Sequence, residues 1–315
     1  MDPTPPPATG NSDHHIPLQD GRRLAYTDLG DPRGYPILFG HGMPGCRLEG
    51  HFLHERARHQ GFRIITPDRP GIGLSDYRER RALRDYPEDI RQLINALKLP
   101  RFSYIGWSSG GSRALACGYA LSDRMDLGVC LSGYTHFSEF PGHHRLIEGT
   151  RWPGPGLIRL SPALLKLVVW LVVRISLRHP GLYMREAKQL VSEQDRALLR
   201  ACLRGEYFRR DQLECLQSGG RAIATDLLTE LGDWGFKLKD VKVPILVYQG
   251  KQDPFIPVDY ACHLADNLPD ADLTLMPDAG HLYPLAGQFQ ERLFQRLNHY
   301  LNNSAQGATS RAMTP

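Results

Sequence analysis

Gly106-Trp107-Ser108-Ser109-Gly110-Gly111 is the stretch on which the fold turns. It follows an apolar run, Phe102 to Ile105, and precedes a helix-like segment, Ser112 to Ala120, so the order is strand, sharp turn, helix. A serine hydroxyl is a poor nucleophile at neutral pH. It must be held where a base can reach it and where backbone donors can meet the oxyanion it creates. A turn of this kind supplies both: small residues at Gly106 and Gly110 let strand and helix close around a strained residue, leaving the Ser108 hydroxyl at the carboxyl end of the strand. Glycine and serine also crowd into ordinary turns, so the six residues alone leave a plain glycine-rich turn open.

Upstream, Pro36-Ile37-Leu38-Phe39 reads as a short buried strand running into Gly40-His41-Gly42-Met43-Pro44-Gly45. Here the backbone should fold back over the nucleophile. A reacting acyl group needs two N–H donors near its developing oxyanion, one from the residue after the nucleophile, Ser109, and one from this loop, for which Met43 is the choice. Pro44 has no N–H to give. His41 reads as a brace for the loop more than an acid or base, with contact to substrate as its other assignment.

Downstream, Pro244-Ile245-Leu246-Val247-Tyr248 is another buried run, followed by Gly250-Lys251-Gln252-Asp253-Pro254. The next strand candidate, Leu273 to Met276, leads into Pro277-Asp278-Ala279-Gly280-His281. A base that takes the serine proton needs a carboxylate to fix its tautomer and stabilise the imidazolium. Asp253, just past a strand end, suits that role; Glu139, after the Leu127-to-Ser132 strand, and Asp278, on the same loop as His281, are the rival acids. With 13 histidines in the chain, residue type singles out none. Position after the last strand separates His281 from His54, His136, His143, His144 and His179, which read as surface or loop residues. Trp107 and Leu282, beside the nucleophile and the base, are candidate substrate contacts.

These motifs resemble the α/β-hydrolase superfamily, and within it the serine-nucleophile branch that includes proline iminopeptidase-like enzymes and esterases. The resemblance rests on His41-Gly42-Met43-Pro44-Gly45, on Asp68-Arg69-Pro70-Gly71-Ile72-Gly73-Leu74-Ser75, on the Ser108 elbow and on the Asp253 and His281 loops, and it covers roughly residues 14 to 133 and 236 to 302. It implies a mostly parallel eight-stranded sheet with helices on both faces and a helical cap inserted after the sixth strand. The Asp68-to-Ser75 motif is similar to a family loop whose role is scaffolding. The chain order Ser108, Asp253, His281 is the order of this fold. Epoxide hydrolases and haloalkane dehalogenases of the superfamily use an aspartate nucleophile where this chain has Ser108. Proline iminopeptidases typically carry a third glycine where Met43 stands.

Composition fits one sizeable core with an insertion: 315 residues, 41% hydrophobic and 23% charged. A net charge of +4, with both signs interspersed, offers no patch for nucleic acid. Cys46, Cys117, Cys130, Cys202, Cys215 and Cys262 lack paired or metal-like spacing and read as reduced thiols in a cytoplasmic protein. No metal or organic cofactor is implied. Met1 to Asp13 is rich in proline and polar residues and reads as a loose tail; 303–315 reads the same way.

Between these ends the pattern alternates. Ile16 to Leu18 and Arg23 to Thr27 flank Asp20-Gly21, a hairpin signal. Pro36 to Phe39, a helix near Glu49 to Gln60, the strand Arg63 to Thr66 and a helix from about Pro87 to Leu97 then imply parallel pairing. The core is expected over 14–133 and 236–302 and the helical cap over 134–235. Within the cap, Leu167-Val168-Val169-Trp170-Leu171-Val172-Val173 lies between Lys166 and Arg174. Seven apolar residues fall far short of the roughly 20 that span a bilayer. Three roles stay open for this helix: burial between cap and core, lining of an apolar pocket through Trp170, or weak interfacial contact with a membrane through Lys166, Arg174 and Arg178.

The expected chemistry is that of a serine hydrolase cleaving an ester or related carbonyl bond of a small, apolar molecule through an acyl-enzyme. The same machinery also serves aminopeptidases and amidases, lactonases, thioesterases and carbon–carbon bond hydrolases, and a slow-turnover receptor-like binder would retain it. The protein is expected as a monomer or homodimer, with a small-molecule substrate as its partner.

Overall fold

A computed structural model of the chain describes residues 13–79, 82–140, 161–204 and 206–312, with backbone alone at 183, 184, 187, 202–204, 206, 207 and 304–312. Strands β1 (Asp13–Pro17) and β2 (Arg23–Gly30) form the expected antiparallel hairpin. Next come β3 (Tyr35–Gly40), β4 (Phe62–Pro67), β5 (Phe102–Trp107), β6 (Met125–Leu131), β7 (Ile245–Gly250) and β8 (Ala271–Met276). All eight belong to one sheet in the order β1-β2-β4-β3-β5-β6-β7-β8, with β2 antiparallel to β4 and every later pairing parallel. The expected fold is the observed one.

Strand β5 sits at the middle of the sheet, and all six of its residues are buried, as befits a parallel strand covered on both faces. Its side chains alternate: Phe102 and Tyr104 enter one apolar cluster, Ile105 and Trp107 the other. On the first face lie α2 (Tyr86–Ala96), α3 (Ser109–Ala120) and α9 (Val258–Asn267), through Ile90, Leu93, Leu115 and Leu264. On the second lie α1 (His54–His59) and α10 (Gly287–Ala312), through Ala57, Leu293, Phe294 and Leu297. The single helix expected near Glu49 to Gln60 is divided, with a 3-10 stretch over Arg47–Leu53 before α1. Helix α10 runs on to Ala312, so the polar segment expected as a tail from 303 is helical in its described part. Once a helix is nucleated by its packed first turns, adding polar residues costs little.

Between β6 and β7 stand α4 (Pro162–Arg178), α5 (Pro180–Leu190), α6 (Glu193–Arg204), α7 (Glu206–Gln217) and α8 (Gly219–Leu231). Helix α4 starts where Ser161 Oγ accepts from Ala163 N at 3.2 Å and Leu164 N at 3.4 Å, with Pro162 in the first turn. Its buried residues, Leu165, Val169, Val173 and Ser176, form one narrow stripe. None of the described helices is long and apolar enough to cross a membrane. His143 and His144 lie outside the described residues.

Candidate active site

Ser108 stands between the end of β5 and the start of α3 with φ +53° and ψ −119°, a conformation a β-carbon disfavours. Its N–H donates to Leu131 O at 2.8 Å, and its carbonyl accepts from Gly111 N at 2.9 Å. The two glycines of the turn are there for space. A β-carbon at Gly106 would come 2.1 Å from Gly110 O, and one at Gly110 would come 2.0 Å from Gly40 O. Strand, helix and the loop after β3 therefore meet backbone to backbone around the serine.

Asp253, past β7, is held by its own loop: Oδ1 accepts from Phe255 N at 2.8 Å and Ile256 N at 3.0 Å. Its Oδ2 lies 2.7 Å from His281 Nδ1. A carboxylate can only accept here, so Nδ1 carries the proton and Nε2 is left as the base. Burial works against the imidazolium, but Asp253, and Asp195 more weakly, hold His281 above its ordinary pKa. The Trp107 ring lies beside it, centroids 5.8 Å apart, and Trp107 Nε1 donates to His281 O at 3.2 Å. The rival acids are elsewhere. Glu139 accepts from Leu238 N at 3.1 Å, and Asp278 is exposed. His136, expected at the surface or in a loop, lies in the loop after β6, buried with its ring 4.8 Å from that of Trp234.

The loop after β3 is braced on every side. His41 is fully buried; its Nε2 accepts from Arg69 N at 3.3 Å, which leaves Nδ1 to donate to Gly42 O at 2.9 Å. Burial and then Arg69 hold it well below its ordinary pKa, so it stays neutral and structural. Gly42 N donates to Glu49 Oε2 at 2.5 Å, and Cys46 N donates to Asp211 Oδ1 at 2.8 Å. Pro44 has no N–H to donate, and Met43 remains the candidate donor of this loop. The loop faces the serine: a β-carbon at Gly42 would come 3.6 Å from Ser108 Cβ. The Ser109 amide, at the first position of α3, has no carbonyl one turn back to bond.

The inserted helices reach this machinery with carboxylates that the sequence motifs did not single out. Asp195 of α6 accepts from His281 N at 2.6 Å and Leu282 N at 3.1 Å, fixing the base's loop. Asp211 of α7 takes the Cys46 amide, and its neighbour Gln212 donates to Pro44 O. Burial pushes the Glu49 and Asp211 carboxyls up, Asp211 to about 7. Leu282 is buried beside the base. Trp170 faces the other way: it is 45% exposed, with the Arg174 guanidinium 4.9 Å from its ring centroid. Its backbone lies on Gly220 of α8, where a β-carbon would come 2.7 Å from Trp170 Cα, so the side chain is turned outward. The buried face of α4, Leu165, Val169 and Val173, belongs to one apolar cluster with Met43 packed against it.

Residues 37–294 match the model of the alpha/beta hydrolase family. The chain is 25% identical over 274 residues to a 2-hydroxy-6-oxononadienedioate/2-hydroxy-6-oxononatrienedioate hydrolase of Burkholderia vietnamiensis, covering 84% of this chain and 87% of that protein. A thermophilic esterase from Thermogutta terrifontis superposes with a TM-score of 0.65 at 22% identity, over 93% of this chain and 99% of its own. The enol-lactonase from Burkholderia xenovorans LB400 gives 0.63 at 16% identity, over 92% and 100%. With the strand order, the elbow and a family match across most of its length, this chain belongs to the alpha/beta hydrolase family.

Proposed function

We propose that the protein is a cytoplasmic serine hydrolase that cleaves a carboxylic ester or related carbonyl bond of a small, apolar substrate. The observation that supports this reading is the 2.7 Å pairing of His281 with Asp253, with the ring of Trp107, the neighbour in sequence of the strained Ser108, 5.8 Å from the His281 ring. Ser108 Oγ attacks the carbonyl carbon as His281 Nε2 takes its proton, with Asp253 stabilising the imidazolium across Nδ1–H. The oxyanion that forms takes hydrogen bonds from the Met43 and Ser109 amides. His281 then gives its proton to the leaving oxygen, and water, activated by the same imidazole, releases the acyl group. The apolar cluster that holds Leu165, Val169 and Val173, with Met43 packed against it, favours an apolar acyl or alcohol portion.

The name of the Burkholderia vietnamiensis relative gives a second reading, hydrolysis of a 2-hydroxy-6-oxo dioate. Charge tells against it. Arg69 and Arg113, buried arginines beside the loop and elbow, are already paired with Asp226 and Glu230. The test is a chain-length series of p-nitrophenyl esters, run beside an amino-acid arylamide and a 2-hydroxy-6-oxo dienoate, with fluorophosphonate labelling of wild type and Ser108→Ala. Ester turnover with labelling lost in the variant is expected. Equal labelling of both proteins, or faster turnover of the dienoate or arylamide, overturns the reading.

A further inference from the structure

Beneath the loop and the elbow runs a line of four buried charges drawn from three parts of the chain: Arg69 after β4, Arg113 on α3, and Asp226 and Glu230 on α8. Arg69 Nε meets Asp226 Oδ2 at 2.8 Å, Arg113 Nη2 meets Asp226 Oδ1 at 3.0 Å, and Arg113 Nη1 meets Glu230 Oε1 at 2.8 Å. No side chain in the line is more than 2% exposed. Two guanidinium groups and two carboxylates balance, and a buried charge without its partner is strongly unfavourable, so each member fixes the next. Burial pulls the Arg113 guanidinium down, yet Asp226 and Glu230 together keep it above its ordinary pKa.

The ends of the line reach the two amides aimed at the oxyanion. Arg69 donates to His41 O and, through Nη2 at 3.0 Å, to Gly42 O. Gly42 C=O and Met43 N–H are the two ends of one peptide group. Because that group is planar and trans, a donor fixed on the carbonyl sets the direction of the N–H on the opposite side. At the other end Ser109 Oγ donates to Glu230, Ser112 Oγ donates to Glu230 Oε1 at 2.7 Å, and Arg113 Nη1 donates to Ser109 O at 2.9 Å. The first turn of α3 is thereby tied to α8 at Ser109, whose amide is the second oxyanion donor of the proposed mechanism.

We propose that Glu230 and Asp226 are positioning residues that set the aim of the Met43 and Ser109 amides, Asp226 through Arg69 and Glu230 through Ser109 and Arg113. The proposal rests on the serine-hydrolase reading and adds that the inserted helices belong to the oxyanion hole's support. It also gives the arginine of the Asp68-to-Ser75 motif a role, since Arg69 joins the loop after β3 to α8.

The test uses the full chain, p-nitrophenyl ester turnover per active site counted by fluorophosphonate titration, and the affinity of phenylboronic acid, which forms a tetrahedral adduct on a reactive serine. Misaiming one donor lowers kcat by about 10- to 100-fold in Glu230→Gln, with KM nearly unchanged and boronate affinity weakened by a matching factor. A Glu230 that only stabilises the fold would lower Tm and leave kcat per site and boronate affinity at wild-type values, and that result overturns the proposal. Ser109→Ala keeps all four charges and deletes only the hydroxyl that joins Glu230 to the elbow. A roughly tenfold loss in kcat with matching boronate weakening is expected there; wild-type values in Ser109→Ala overturn the proposal even if Glu230→Gln fails to fold. A wild-type chain that neither takes the phosphonate nor turns over esters removes the serine-hydrolase reading and this proposal together. Wild-type activity with both variants unimpaired removes this proposal alone.

Discussion

The sheet and the helices inserted between β6 and β7 solve burial in opposite ways. Around the sheet, apolar side chains fill both faces, with Ile37, Leu38, Phe39, Phe102 and Phe294 fully enclosed, and the buried arginines Arg69 and Arg113 are neutralised by carboxylates of the insertion. In the insertion, nine of the ten large apolar side chains exposed among the described residues lie on α4 and α5, while Asp195, Asp211, Asp226 and Glu230 are buried against the core. The difference is one of directionality. Apolar burial is non-directional and holds volume, whereas a buried carboxylate accepting a given amide or guanidinium holds an orientation. The sheet therefore supplies the positions of Ser108, Asp253 and His281. The insertion supplies the aim of the loops that carry and surround them.

If that division is right, substitutions should grade by region. Ser108→Ala removes the nucleophile on the sheet and should lower kcat by about 10⁶ while the fold, followed by circular dichroism, stays intact. Sustained turnover in this variant would break the comparison at its root. Asp253→Asn should cost about 10⁴ in kcat through the wrong imidazole tautomer. It should also move the pH profile. His281 must be neutral to act as base, and Asp253 holds its pKa above the ordinary value, so wild-type kcat/KM should rise through a pH above about 6.5, and the variant's limb should lie lower. An unshifted limb would mean another group titrates there.

Leu165→Ala tests the apolar side of the insertion. Its side chain is fully buried in the cluster over Met43, and its loss should cost about 2–5 kcal/mol in denaturant unfolding, with a shorter-chain or looser ester preference. Asp195→Asn tests the directional side. Losing charge on an acceptor of two loop amides should cost about 1–3 kcal/mol, seen as a tenfold to hundredfold fall in kcat larger than any rise in KM. A loss of stability alone would place Asp195 with the packing residues and blur the contrast. Smallest of all should be Trp170→Ala, within about 0.5 kcal/mol of wild type and with the chain-length preference unchanged, because the ring faces outward. A shifted preference would put Trp170 back in the pocket.

Residues that carry chemistry on a strand end were legible without coordinates. Alternation of apolar runs with helical periods gave the parallel sheet, and the carboxyl end of a strand is where such sheets hold their reactive groups, which singles out Ser108, Asp253 and His281. Met43 was the candidate chosen in the loop after β3, with Pro44 unable to donate. The choice of Asp253 over Glu139 and Asp278 needed the 2.7 Å contact, because three acids near strand ends look alike in one dimension. For Trp170 the sequence left burial, pocket lining and membrane contact open, because which way a helix faces depends on its partner; in the structure the side chain is exposed.

What the sequence by itself determined is local in origin: the elbow, the parallel pairing implied by alternation, and candidates for nucleophile, acid and base in chain order. Tertiary structure decided which long-range partners meet. Asp195 bonds an amide 86 residues away, Asp211 one 165 residues away, and Asp226 an arginine 157 residues away. Hydrophobic periodicity repeats along the chain and can be read from it, but a charge pair leaves no repeat, and only folding brings its two halves to hydrogen-bond distance.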